Sequence, residues 1–102
     1  MPKPIGSKDD IGKTEFDLLE PRFIEAMAQV MTKGAAKYKP YNWQYVPQFH
    51  QRYLAALYRH LIAYHKGEVI DQDSELPHMA HIACNAMFLF WSDLRDGNPD
   101  IR

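Results

Sequence analysis

GEVIDQDSELPHMAHIACN, residues 67–85, lies between two apolar segments and carries a dense set of groups able to bind a metal or move a proton. They are Glu68, Asp71, Asp73, Glu75, His78, His81 and, as a neutral ligand, Asn85. The first half of the stretch reads as a loop and the second half as the opening of a helix. Pro77 fits a first helical turn, where its missing N–H costs nothing, and Ser74 fits the cap before it. The acids then gather at the positive end of that helix, which favours negative charge. Carboxylates followed by histidines suit a divalent cation, with carboxylates favouring hard ions such as Mg²⁺ or Mn²⁺ and imidazole favouring softer ones.

Outward from this stretch the pattern is helical. Downstream, the apolar residues run nearly all round to Gly97-Asn98-Pro99, a stop signal, so a buried helix is expected over roughly 76–95. Upstream, Tyr53, Leu57, Leu61 and Tyr64 form one stripe and Leu54, Tyr58 and Ile62 a second. This predicts a helix over roughly 48–66, ended by Gly67. Further back, Phe23, Met27, Val30 and Met31 fall on one face behind Pro21, giving a helix over roughly 21–37. Between these two lies YKPYNWQYVP, residues 38–47, an aromatic loop broken by two prolines. Residues 1–15 are polar and read as an arm. No segment alternates with the period of a strand. The expected architecture is all-α, a small helical bundle of three main helices in a single domain over 1–102.

Composition narrows the partners. A chain of 102 residues that is 46% hydrophobic is too apolar for disorder and too short for a large core of its own. Completion by a homo-oligomer, dimer or tetramer, is therefore expected. Net charge is −1, from 12 basic and 13 acidic residues, which gives no footprint for duplex nucleic acid. The single Cys84 excludes an intrachain disulfide and fits a reducing compartment. The apolar run around Met79 to Trp91 is interrupted by His81 and Asn85 and falls short of the ~20 residues of a membrane span. A cytoplasmic protein without a membrane partner is expected.

Several side chains admit two readings. His78, His81 and Asn85 share one face of their helix at i, i+3 and i+7. They either hydrogen-bond to the preceding helix, through His60 or Arg59, or belong to a site. Glu68, Asp71, Asp73 and Glu75 are a solvated loop or a cation site. Lys33 and Lys37 are surface charges or phosphate contacts. Tyr38, Tyr41, Asn42 and Trp43 pack the loop onto the second helix or face a base. Arg59 projects from a helix with few polar positions, and a buried arginine requires an anionic partner.

These motifs, in this order, resemble a known family. Gly12-Lys13 with Leu18-Leu19, then VMTKGAAKYKPYNW at 30–43, Arg59-His60-Leu61, Gly67-Glu68, Asp71 and the segment from Leu76 to Asn85 are similar to the phage-type dATP/dGTP diphosphohydrolase N-terminal family. That family is related to the MazG-like all-α nucleotide pyrophosphohydrolases. Asp73-Ser74-Glu75 stands where the family has Glu-Ser-Gly, and the paired ExxE and ExxD of MazG-like chains are absent. The resemblance implies hydrolysis of a purine (deoxy)nucleoside triphosphate to monophosphate and pyrophosphate. It implies Mg²⁺ or Mn²⁺ held by Glu68, Asp71 and Asp73, with Glu68, Asp71 and His78 as the catalytic groups. Lys33, Lys37 and Arg59 would hold the triphosphate and Tyr38, Asn42 and Trp43 the base, with His60, His81 and Asn85 completing the substrate-binding set. The alternatives are a phage protein that sequesters a nucleotide without turnover and a purely structural oligomer.

Overall fold

The computed structural model describes residues 2–101; residue 1 of the expected arm and residue 102 lie outside the described residues. Residues 2–20 are exposed throughout, and Phe16–Leu18 form a single 3-10 turn ahead of the first helix. Helix α1 spans Pro21–Tyr38, α2 spans Phe49–His65 and α3 spans His78–Arg95, with a 3-10 turn at Asn42–Tyr45 between α1 and α2. Among the described residues there is no strand, only an isolated antiparallel bridge between Ile70 and Pro77. The fold is all-α, as the periodicity predicts.

Local chemistry sets the helix ends. At the start of α1, Pro21 occupies the first turn and the Glu20 carboxylate accepts from the Arg22 amide at 3.0 Å. The end of α2 is a glycine-dependent reversal. Gly67 has φ +104°, its amide donates to Tyr64 O at 2.9 Å, and the Glu68 amide donates to Ala63 O at 3.0 Å. These paired bonds satisfy carbonyls that the helix end would leave open, and they turn Glu68 back toward the bundle. Gly97, at φ +70°, closes α3 the same way, with Asn98 donating to Asp93 O at 3.1 Å.

The start of α3 differs from the sequence expectation. Pro77 is the residue before the helix, and no side chain caps it. The His78 amide is instead taken by Val69 O at 2.9 Å across the loop, beside the Ile70–Pro77 bridge. Ser74 is not the cap because its hydroxyl is engaged elsewhere, as described below.

Helix α3 is the centre of the bundle. Both α1 and α2 pack on it and hardly touch each other. Phe49, Cys84 and Phe88 are buried together, and Met27, Val30, Met31, Trp43, Tyr53, Met87 and Trp91 close around them. Trp43 stacks on Phe88 with ring centres 4.6 Å apart and meets Trp91 edge-on at 5.0 Å. The aromatic loop is thus anchored on α3 and on the first turns of α2, where Phe49 packs on Trp43 and the Tyr53 hydroxyl donates to Trp43 O at 3.1 Å. The expectation that α3 is buried all round does not hold, because Met79, Phe90 and Leu94 are exposed. On α2, Tyr58, Leu61, Ile62 and Tyr64 are also exposed. One helix can cover only one face of each neighbour, so these outward faces stay open in the single chain.

Candidate functional site

Two regions gather the polar and aromatic side chains. The first is a corner where the end of α2, the 67–77 loop and the start of α3 meet. His78 is only 3% exposed, yet both ring nitrogens are engaged. Its Nε2 lies 2.6 Å from Glu68 Oε1 and its Nδ1 lies 2.8 Å from His60 Nδ1. The i, i+3 spacing places His81 beside it, and the His81 ring stacks flat on His60, with ring centres 4.4 Å apart and planes 2° apart. The link from the α3 histidines to the preceding helix therefore runs through His60.

Ser74 ties the loop to this pair. Its amide and hydroxyl both donate to Asp71 Oδ2, at 3.1 and 2.8 Å, while its oxygen accepts from the Leu76 amide at 3.2 Å. With the hydroxyl proton committed to Asp71, His81 Nε2, 2.7 Å from Ser74 Oγ, is the donor in that contact. Burial opposes ionisation of Asp71, but the two Ser74 bonds, together with the neighbouring His81 and His60 rings, outweigh it and hold its carboxyl below the usual range. Burial also pushes His60 and His81 below the usual imidazole range, so both rings are neutral at neutral pH. Asn85 is buried on the same face of α3 and donates to His81 O at 2.8 Å, an intrahelical contact. Lys33 reaches across from α1 and donates to Ser74 O. Glu68 and Asp71 stand in the corner, whereas Asp73 and Glu75 are exposed.

The second region is a groove of about 710 Å³. It exists because α1 and α2 both lean on α3 without closing on each other. Val30, Gly34 and Tyr38 line one wall, Arg52, Ala56 and Arg59 the other, and Trp43 and Phe88 also contribute to the lining. Three non-glycine residues along it, Lys39, Tyr41 and Gln48, have φ values of +103°, +65° and +55°. Such backbone is costly for side chains with a Cβ and concentrates at ligand-binding sites.

The expected site residues thus divide. Tyr38, Asn42, Trp43 and Arg59 line the groove, while Glu68, Asp71, His78, His60 and His81 build the corner. Asn85 is held inside α3, and Lys37 sits 5.1 Å over the Tyr38 ring. Arg59 is exposed, not buried, and makes no ion pair among the described residues. The one-residue step from His60 turns it about 100° round the helix toward the groove. Sequence reasoning assigned no site role to Tyr45 and Arg52, which line the groove together with Tyr41. It also gave Ser74 a capping role, although the three-residue spacing from Asp71 is one at which a carboxylate can accept from backbone and hydroxyl together.

The sequence of this all-α chain matches a family model. The family model described as "dATP/dGTP diphosphohydrolase, N-terminal" matches residues 3–102. A protein of Salmonella phage PMBT28 named "dATP/dGTP diphosphohydrolase" is 40% identical over 86 residues, covering 84% of this chain. The chain belongs to this family. It spans 29% of the length of that phage relative. No solved structure matches the chain.

Proposed function

We propose that this chain is a nucleotide pyrophosphohydrolase that converts a purine (deoxy)nucleoside triphosphate to the monophosphate and pyrophosphate. The observation that carries the reading is the pairing of the groove with the corner in a chain of this family. The groove's volume is in the range of small-molecule sites, and its lining offers rings for a base and Arg52 and Arg59 for phosphates. Tyr38, Tyr41 and Trp43 supply the aromatic surface, and Asn42 supplies both a donor and an acceptor for base edges. The corner supplies carboxylates and neutral imidazoles that can take a proton from an attacking water. The family resemblance implies Mg²⁺ or Mn²⁺, and of these the corner's imidazole–carboxylate donor set suits Mn²⁺ better, with Asp71 as the carboxylate best placed beside both histidines. Such an ion supplies charge neutralisation on the phosphates and acidifies a water. Helices with open apolar faces support assembly as a dimer or tetramer.

The test is incubation with a panel of deoxy- and ribonucleoside triphosphates in the presence of Mg²⁺ or Mn²⁺. Both released pyrophosphate and retained intact nucleotide are scored. Monophosphate and pyrophosphate from dATP or dGTP are expected. Retention of intact nucleotide without product would replace hydrolysis by sequestration, and neither outcome would leave a scaffold.

A further inference from the structure

We propose that His60, His78 and Asp71 form a three-ligand centre for a transition-metal ion of the Mn²⁺ to Zn²⁺ class, with Glu68 as a positioning residue outside the ligand set. One donor atom from each of the three lies within 4.8 Å of the others. Donors bound at about 2.0–2.2 Å to a tetrahedral ion stand roughly 3–4 Å from one another, so small side-chain adjustments close the set. The three come from different places, His60 from α2, Asp71 from the loop and His78 from α3. The loop is fixed in register by Asp71 N donating to Leu76 O at 2.9 Å and His78 N donating to Val69 O at 2.9 Å. Backbone bonds, not the ion, therefore bring the ligands together.

The histidine pair is the telling feature. Glu68 Oε1 lies 2.6 Å from His78 Nε2 and takes a hydrogen bond from it, which leaves His78 Nδ1 as a bare lone pair directed at His60 Nδ1, 2.8 Å away. A carboxylate behind one nitrogen is the usual support for an imidazole that binds metal through the other. Two imidazoles and one carboxylate select a borderline ion over Mg²⁺, which prefers six oxygens. His81, stacked on His60, walls the centre on one side. Ser74 holds Asp71 Oδ2 through two bonds, which leaves Oδ1 available as a donor.

This inference deepens the metal-assisted reading above and rests on it only for what the ion would do, not for whether it binds. The test is titration of the EDTA-treated full chain with Co²⁺, read by its visible ligand-field absorption, with Zn²⁺ and Mg²⁺ as competitors. One Co²⁺ per chain is expected, displaced by equimolar Zn²⁺ and resistant to a large excess of Mg²⁺. His60→Gln and Asp71→Asn, each checked for retained helicity, should each abolish the band. Glu68→Gln should weaken Co²⁺ binding by about 10–100-fold while leaving the band in place. Absence of any band, displacement by Mg²⁺, or a band unchanged in both His60→Gln and Asp71→Asn would overturn the centre and leave the two histidines as a simple N–H···N pair. Nucleotide turnover is scored separately. Co²⁺ binding without turnover upholds the centre and removes the hydrolase; Mg²⁺-driven turnover without Co²⁺ binding does the reverse.

Discussion

The corner and the groove are built on opposite principles. In the corner, two hydrogen-bonded sets, Glu68–His78–His60 and Asp71–Ser74–His81, are joined by the stacking of His60 on His81, and among the described residues no buried side-chain polar atom lacks a partner. The groove is held open by helices that do not meet and is lined by rings and arginines, with backbone strain along its rim. A preassembled polar network suits chemistry that must be positioned before the substrate arrives. An open aromatic trough suits a ligand that supplies part of its own packing. The two share α3, which carries His78 and His81 near its start and Phe88, in the groove lining, further along.

The largest way to break this contrast is through Trp43, which lines the groove but is also wedged against Phe88 and Trp91. Trp43→Ala should cost about 3–4 kcal/mol of stability, in the range of large aromatic truncations, read by urea denaturation. Tyr38 is its counterpart, 56% exposed on the same groove. Tyr38→Ala should leave stability within about 0.5 kcal/mol and still weaken nucleotide binding by about tenfold, if stacking there resembles single-stranded nucleic-acid sites. Equal effects of the two substitutions on stability would erase the distinction between anchor and ligand surface.

Much of the corner was legible because its signals are local. The spacing of His78 and His81 fixes their shared face, Gly67 marks the reversal that brings Glu68 back, and His60 is one of few polar residues on its helix. The groove was legible only in part. Tyr38, Asn42 and Trp43 are close in sequence, but the trough depends on α1 and α2 failing to meet, which no single segment encodes. Arg59 was misplaced for the same reason. Most of the residues around it in sequence are apolar, yet the helix turns it to the open side, and a one-residue step separates a groove residue from a corner residue.

A smaller effect sharpens the corner. Glu75 has φ +62° in the tight turn between Asp71 and Leu76, and its amide donates to Asp71 O at 2.8 Å. The left-handed conformation costs a residue with a Cβ about 1–2 kcal/mol. This is the position where the resembled family has glycine. Glu75→Gly should stabilise the chain by about 1 kcal/mol, because part of the relief is offset by greater freedom of glycine in the unfolded state. The melting temperature should rise by about 4–8 °C, with Co²⁺ affinity unchanged. A fall in melting temperature would mean that the Glu75 side chain contributes to the corner in a way its exposure conceals.

The smallest effect lies between the two regions. Cys84 sits on α3 between His81 and Phe88, is 1% exposed, and its thiol donates to Met27 O on α1 at 3.5 Å. Burial pushes its thiol from an ordinary 9.0 up to about 11. Since the thiolate is the reactive form, iodoacetamide at pH 8 should modify the native chain far more slowly than the urea-unfolded chain. The raised value also fixes the sign of a pH effect. As pH rises through 9, the unfolded chain loses this proton while the folded chain keeps it, so stability declines from about pH 9 until the folded thiol also ionises. The loss should be about 1 kcal/mol by pH 10, and Cys84→Ala should remove that slope even if it lowers stability at neutral pH. The same thiol reports whether groove and corner move together. Nucleotide binding that slows alkylation would tighten the α1–α3 seam and couple the regions through α3, whereas an unchanged rate would show that the groove fills without disturbing the helix that carries the histidines.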